Sequence, residues 1–311
     1  MLFYVLNIFF DLLLIVLFIR YFVEKYQYYG FGPLLYAIVE LSNRLLQPIR
    51  RRLPQAARIL QNHLLLVAMV LTVLIRGVAL WILRAPHPLA MVLPYQGLLG
   101  LPYALGLSVN MALTLIGEMV IAFLFASLMI SRRGMTLGSS AGFVCFQEKT
   151  FAVFHFVKRG LKTDNLVVLF LAATLAILVG TSVLASLVCL SWLKGFLVFE
   201  WVWAVTFFEM IQRLVSFYLI VLLLTILSSW VAADQFSVMI QVLRAMSDPY
   251  LNIFRRLLPW ARIDFVDLSP LFAIIALYPI ALNLLAMLEA TLLQWLQPQS
   301  MLIIHAWRYL T

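Results

Sequence analysis

From His63 to Arg84 the chain reads HLLLVAMVLTVLIRGVALWILR, an apolar run with one internal charge, Arg76. Wound as a helix, such a run spans about 30 Å, the thickness of a bilayer's hydrocarbon core. Five more stretches have the same character: Leu2–Phe22, Leu107–Ser131, Leu166–Trp192, Phe207–Val231 and Ser269–Leu293. The composition agrees. Of 311 residues, 65% are hydrophobic and 11% charged, with a mean hydropathy of +1.04; a soluble domain is nearer half apolar and about a quarter charged. In lipid a backbone must satisfy its own hydrogen bonds, which only helices and closed barrels do. The alternating pattern of barrel strands is absent, so an all-α polytopic membrane protein with six spans is expected. The first span carries no basic residue before Arg20 and no small-residue cleavage site, which reads as an uncleaved anchor.

The basic residues give an orientation. The loop after span one, with its flanks, holds Arg20, Lys25, Arg44, Arg50, Arg51, Arg52 and Arg58. The loop after span three holds Arg132, Arg133, Lys149, Lys158, Arg159 and Lys162, and the loop after span five holds Arg244, Arg255, Arg256 and Arg262. The opposite side has only Arg84, Lys194 and Arg308. The positive-inside rule puts the three rich loops in the cytoplasm and both termini outside it. The net charge of +9 then belongs to the membrane surface, where anionic headgroups attract Lys and Arg. Because these residues hug the spans, no nucleic-acid partner is expected.

An offset of 205 residues lays the chain on itself. Leu14-Ile15-Val16-Leu17 falls on Leu219-Ile220-Val221-Leu222, Ser42 on Ser247, and Leu46 on Leu251. The sharpest register is Arg50-Arg51 with Leu53-Pro54 on Arg255-Arg256 with Leu258-Pro259. Each copy reads as a span, an amphipathic helix, a basic turn ended by Pro54 or Pro259, and a second span. The amphipathic stretch of the second copy opposes Met239, Val242, Leu243, Met246, Leu251 and Phe254 to Gln241, Arg244, Asp248 and Asn252. Such a helix is expected in the headgroup plane with its apolar face down. Arg50, Arg51, Arg52, Arg255 and Arg256 are then candidates to meet lipid phosphates or an acidic partner, since guanidinium is a fork matched to phosphate. Both copies start from an odd-numbered span, so they run parallel, unlike inverted transporter repeats.

The second copy carries Ser229-Trp230, Asp248-Pro249, Arg255-Arg256 with Pro259, Ile263-Asp264 and Asp267-Leu268-Ser269-Pro270, in that order. In this it resembles the YggT (YlmG-like) family of small bacterial and plastid membrane proteins. The first copy keeps Gln47-Pro48-Ile49-Arg50-Arg51-Arg52-Leu53-Pro54 but lacks the D-L-S-P element. The resemblance implies residues 1–84 as a first YggT-type repeat and 206–311 as a second repeat with a tail. Residues 85–205 form a two-span insert where the family has a short linker. It also implies a bacterial inner membrane and a non-enzymatic role in membrane organisation, assembly, envelope processes or osmotic tolerance.

Intramembrane charges are the remaining candidates, because each costs several kcal/mol unless paired or solvated. They are Asp11, Arg76, Glu118, Glu209, Arg213 and Glu289. Glu209 and Arg213 are four apart and read as a local ion pair. Arg76 is expected to pair across helices with Asp11 or Glu118. His63, His87, His155 and His305 form no ligand spacing, Cys145 and Cys189 read as lone buried thiols, and the glycines from Gly138 to Gly142 lack a following G-K-[ST]. No metal and no cofactor is expected. In span four, Gly180, Thr181, Ser182, Ala185 and Ser186 suit close helix approach, either within this chain or on a partner. Two functions remain: a membrane-organising scaffold that grips the inner leaflet and docks on another membrane complex or a second copy, or a channel or transporter for ions or small osmolytes.

Overall fold

The structure, a computed structural model, describes residues 2–25, 39–44, 46–47, 64–83, 100–132, 159, 165–191, 199–230, 238–258, 262–263, 266–267 and 269–310. In chain order its helices are α1 (Leu2–Lys25), α2 (Leu64–Leu83), α3 (Gly100–Arg132), α4 (Leu166–Ser191), α5 (Phe199–Trp230), α6 (Val238–Leu257), α7 (Ser269–Leu277) and α8 (Asn283–Leu310). Between α6 and α7, β1 (Arg262–Ile263) pairs antiparallel with β2 (Val266–Asp267), setting Arg262 opposite Asp267.

Among the described residues, four helices are long and apolar enough to cross a membrane: α2, α3 over Gly100–Met129, α4 over Val167–Val188, and α5 over Phe199–Ser228. They occupy the second to fifth expected spans. The first and sixth positions are also helical. The sixth is not one continuous α-helix, because a π-helical turn, Tyr278–Leu282, separates α7 from α8. Pro279 lies in that turn. It has no N–H to give and its ring crowds the preceding turn, which widening relieves.

Local chemistry sets several ends. Asn165 begins α4 by accepting the Val167 N–H on its side chain at 3.1 Å, a helix N-cap. Pro270 sits in the first turn of α7, where a missing N–H costs nothing. Several hydroxyls inside helices bond back to their own backbone, as Thr72 does to Ala68, Thr206 to Val202 and Thr225 to Val221. Each thus presents no unmet donor to lipid.

The chain divides into two compact units: residues 1–116, 138–148 and 184–196, and residues 117–137, 149–183 and 197–311. In the first unit Leu17, Leu46, Leu64, Leu65 and Ala68 form one buried cluster, and Leu14, Ala112 and Leu115 form another. In the second, Leu222, Leu251 and Ala273 cluster with Tyr218, Tyr250 and Phe254 at their edge, and Ala126, Val221 and Met246 cluster with Val242 and Leu243. This changes the reading of α6. Its apolar face is covered by helices of its own unit rather than turned into lipid, because α5, α7 and the end of α3 supply a complementary apolar surface.

Two glycines mark close helix crossings. A Cβ on Gly77 would stand 2.6 Å from Leu105 Cδ2 and 3.0 Å from Leu105 Cα; nearby, Ser108 donates to the Val73 carbonyl at 2.6 Å. A Cβ on Gly117 would stand 2.8 Å from Thr181 Oγ1. At Gly77 the obstacle is partly backbone, which cannot rotate away. Gly77→Ala is expected to destabilise the protein by about 1–3 kcal/mol through overpacking, read as a lower unfolding midpoint in detergent. Adding Leu105→Ala should restore only part of the loss. An unchanged midpoint for Gly77→Ala would rule out so close a crossing.

Candidate functional site

Among the described residues, the intramembrane charges singled out above gather in two clusters, one in each unit. In the first unit, α1 buries Phe10, Leu14, Leu17 and Phe18 along one stripe, and Asn7 and Asp11 continue it. On α2, Leu65, Ala68, Thr72, Arg76 and Leu80 form the matching buried stripe. Arg76 is 1% exposed. Its Nη1 donates to Asp11 Oδ1 at 2.8 Å, while Nε and Nη2 donate to Asn7 Oδ1 at 3.2 and 3.1 Å. The planar guanidinium thus spans two acceptors one helical turn apart, a geometry lysine cannot copy. Of the two carboxylates weighed for Arg76, Asp11 is its partner.

Glu118 lies in the second unit beside Arg213. Arg213 stands between Glu118 on α3 and Glu209 on its own helix, with closest N–O distances of 3.8 Å to each. That is Coulombic contact, too long for a hydrogen bond. One turn-neighbour away, Gln212 donates to Glu289 of α8 at 2.7 Å. The cluster therefore ties α3, α5 and α8 together. Sequence reasoning missed Asn7 and Gln212, although the 205 offset relates them: in each copy the same position of the first span carries an amide that reaches a charge on a later helix.

The third group is α6. Asp248 accepts from Arg255 Nη1 at 3.2 Å, and Asn252, between them on the helix, accepts from the same nitrogen at 3.2 Å. The D-P and R-R motif residues thus meet as a staple that bridges Pro249, whose missing N–H would otherwise weaken the helix. Tyr218 donates to the Met246 carbonyl and Tyr250 to that of Ala273, both at 3.2 Å. Burial pushes the Tyr250 phenol above its ordinary value, so its donated bond persists until pH rises through that higher value. Arg256 is exposed. Ser269 and Pro270 are buried at the start of α7, Trp230 ends α5, and Asp267 lies in β2 opposite Arg262. Arg50, Arg51, Arg52, Pro54, Pro259, Asp264, His63, His87, His155, Cys145 and residues 138–142 fall outside the described residues.

In α4, Thr181 packs on Gly117, Ser182 accepts from Trp203 Nε1 at 3.1 Å, and Ala185 and Ser186 are buried. Packing within the chain occupies these small residues. Gly180 alone of the group is exposed, with open space around it. Among the described residues, no group of His, Cys, Asp and Glu is arranged to hold a metal ion.

A family model described as CCB3/YggT matches residues 204–288. That range runs from α5 through α6 into α8 and contains the staple, both phenols and the Ser269-Pro270 helix start. No curated protein and no solved structure matches the chain.

The buried ion pair has an asymmetry that can be measured. Asp11→Ala removes the carboxylate from a guanidinium that is 1% exposed and keeps Asn7, whereas Arg76→Ala removes the cation from a carboxylate that is 28% exposed. Removing one partner of a buried pair costs about 3–5 kcal/mol, so Asp11→Ala should lie at the high end and Arg76→Ala below it. The double variant should lose clearly less than the sum of the two, as read from unfolding midpoints in detergent. Additive losses would mean that the pair is not coupled.

Proposed function

We propose, from the match of residues 204–288 to the CCB3/YggT family model, that the chain is a non-enzymatic organiser of the bacterial inner membrane. It has six spans in two parallel YggT-type modules, with both termini outside the cytoplasm. The basic hairpins, through Arg50, Arg51, Arg52, Arg255 and Arg256, contact anionic headgroups of the inner leaflet, and the helices dock on another membrane complex or a second copy.

The observation that carries this reading is the state of the intramembrane charges. Arg76 is closed by Asp11 and Asn7, Arg213 stands between Glu118 and Glu209, and Glu289 accepts from Gln212. Charges spent on one another lock helices in register, whereas a conduction path needs polar groups facing water. The two-module architecture has its own support. Leu17, Leu46 and Ala68 cluster in the first unit, and their equivalents at the 205 offset, Leu222, Leu251 and Ala273, cluster in the second. Ser42 and Ser247, also equivalent, are both fully buried and both bond back three residues, to Val39 and Arg244.

A second reading, a channel or transporter for ions or small osmolytes, draws on the second cluster, where three carboxylates stand against one arginine. Two measurements separate the readings. Purification in mild detergent followed by mass spectrometry should recover a stoichiometric membrane partner or a defined homo-oligomer. A bare monomer under every mild condition would sink the docking idea. Ion and osmolyte flux into proteoliposomes should equal that of empty liposomes; a flux abolished by Glu118→Gln or Glu289→Gln would establish transport instead.

A further inference from the structure

One stripe of α6 faces outward. Pro249, Asn252, Ile253, Arg256 and Leu257 are exposed at helical spacing i, i+3, i+4, i+7, i+8, and Ile253 and Leu257 are 53% and 67% exposed. The opposite face, with Ala245, Met246, Ser247 and Leu251, is buried. The rotation of α6 about its own axis is therefore fixed, and the Tyr218 and Tyr250 phenols secure it at one carbonyl of α6 and one of α7. Adjacent residues on a helix point about 100° apart, so Arg255 and Arg256 have different surroundings although they are neighbours. Arg255 is three-quarters covered and bonded to Asp248 and Asn252. Arg256 stands on the outward stripe between two exposed aliphatic side chains.

We propose that the two arginines of this hairpin have separate tasks. Arg256, with Ile253 and Leu257, is the contact with an anionic lipid surface, and Arg255 is a positioning residue that holds α6 together across Pro249. The proposal deepens the headgroup reading given above and rests on it. The charge of Arg255 is already met by Asp248, so the pair is neutral to lipid, and releasing Arg255 would leave a carboxylate that is 20% exposed without that partner. Arg256 offers a cation to phosphate while Ile253 and Leu257 enter the boundary between headgroups and acyl chains, the usual division of an interfacial helix. Lipid is the occupant the surroundings favour. α6 packs against α5 and α7, α5 is long and apolar enough to cross a membrane, and the apolar residues on the stripe flank a positive charge. An acidic protein partner would favour a second carboxylate-binding cation in place of exposed aliphatic residues.

The test uses the full chain in lipid nanodiscs, with Cys145→Ser, Cys189→Ser and a bimane on Leu257→Cys as a local apolar reporter. Quenching by brominated phosphatidylglycerol is compared with quenching by brominated phosphatidylcholine. The parent should favour phosphatidylglycerol, and Arg256→Gln should weaken that preference about fivefold, the equivalent of about 1 kcal/mol for one surface cation. The charge-neutral double variant Arg255→Gln with Asp248→Asn should keep the preference, measured below its unfolding temperature, and lower the unfolding midpoint. If that double variant abolishes the preference as Arg256→Gln does, the division of tasks is wrong while the headgroup reading stands. If the parent prefers neither lipid, or the bimane is reached by neither, the headgroup reading itself falls for this hairpin.

Discussion

A guanidinium inside an apolar helix bundle has to have its donors met, and in this protein that requirement governs what lies around it. Arg76 is among the most deeply buried large side chains. Its donors reach both Asn7 and Asp11, so α1 and α2 have one register in which the guanidinium is satisfied. The aliphatic stripes on either side then have only one way to interlock, which brings Leu17 onto Leu65 and Ala68 at the far end of the same pair. Dispersion and close packing supply most of the stabilisation. The polar contact decides which packing is used, because a one-turn slip would leave charge in hydrocarbon.

The second unit meets the same constraint with different chemistry. Its charges are shared among three helices, and the amide at the equivalent position, Gln212, donates to a carboxylate where Asn7 accepts from a cation. Sign and partner have changed while the position of the polar link on the first span has not. Packing of small residues follows a similar logic: Gly77 and Gly117 each admit a neighbouring helix to a distance no side chain would allow. Near these crossings Thr181 bonds to its own backbone and Ser108 to the Val73 carbonyl of the facing helix, so close approach leaves neither donor unmet.

Much of this was legible in the sequence. Hydrophobic runs located the helices because length and apolarity are what a bilayer demands, and the cost of an unpaired intramembrane charge narrowed the partner of Arg76 to two carboxylates. The early starts of α3 at Gly100 and α5 at Phe199 were less visible, since extra helical turns beyond a hydrocarbon core need no apolar signature. The π turn at Tyr278–Leu282 was signalled by Pro279, yet a proline inside a span is compatible with several distortions. Periodicity found both faces of α6 but assigned the apolar one to lipid. A helical period says that a face is buried; it carries no information on whether lipid or protein covers it.

The family match covers residues 204–288, the stretch that holds the staple in α6. At the 205 offset Asn43 stands where Asp248 stands, Leu13 where Tyr218 stands, and Leu45 where Tyr250 stands. The first copy therefore lacks the carboxylate that neutralises the first arginine of its pair and both phenols that hold the amphipathic helix to its neighbours. It keeps the aliphatic positions that make the core: Leu17, Leu46 and Ala68. Two sets of requirements have thus come apart. Core packing uses one solution in both units, whereas the carboxylate and the phenols of the polar network have no counterparts at the 205 offset. The hairpin that this network organises is where one arginine is held and its neighbour is exposed.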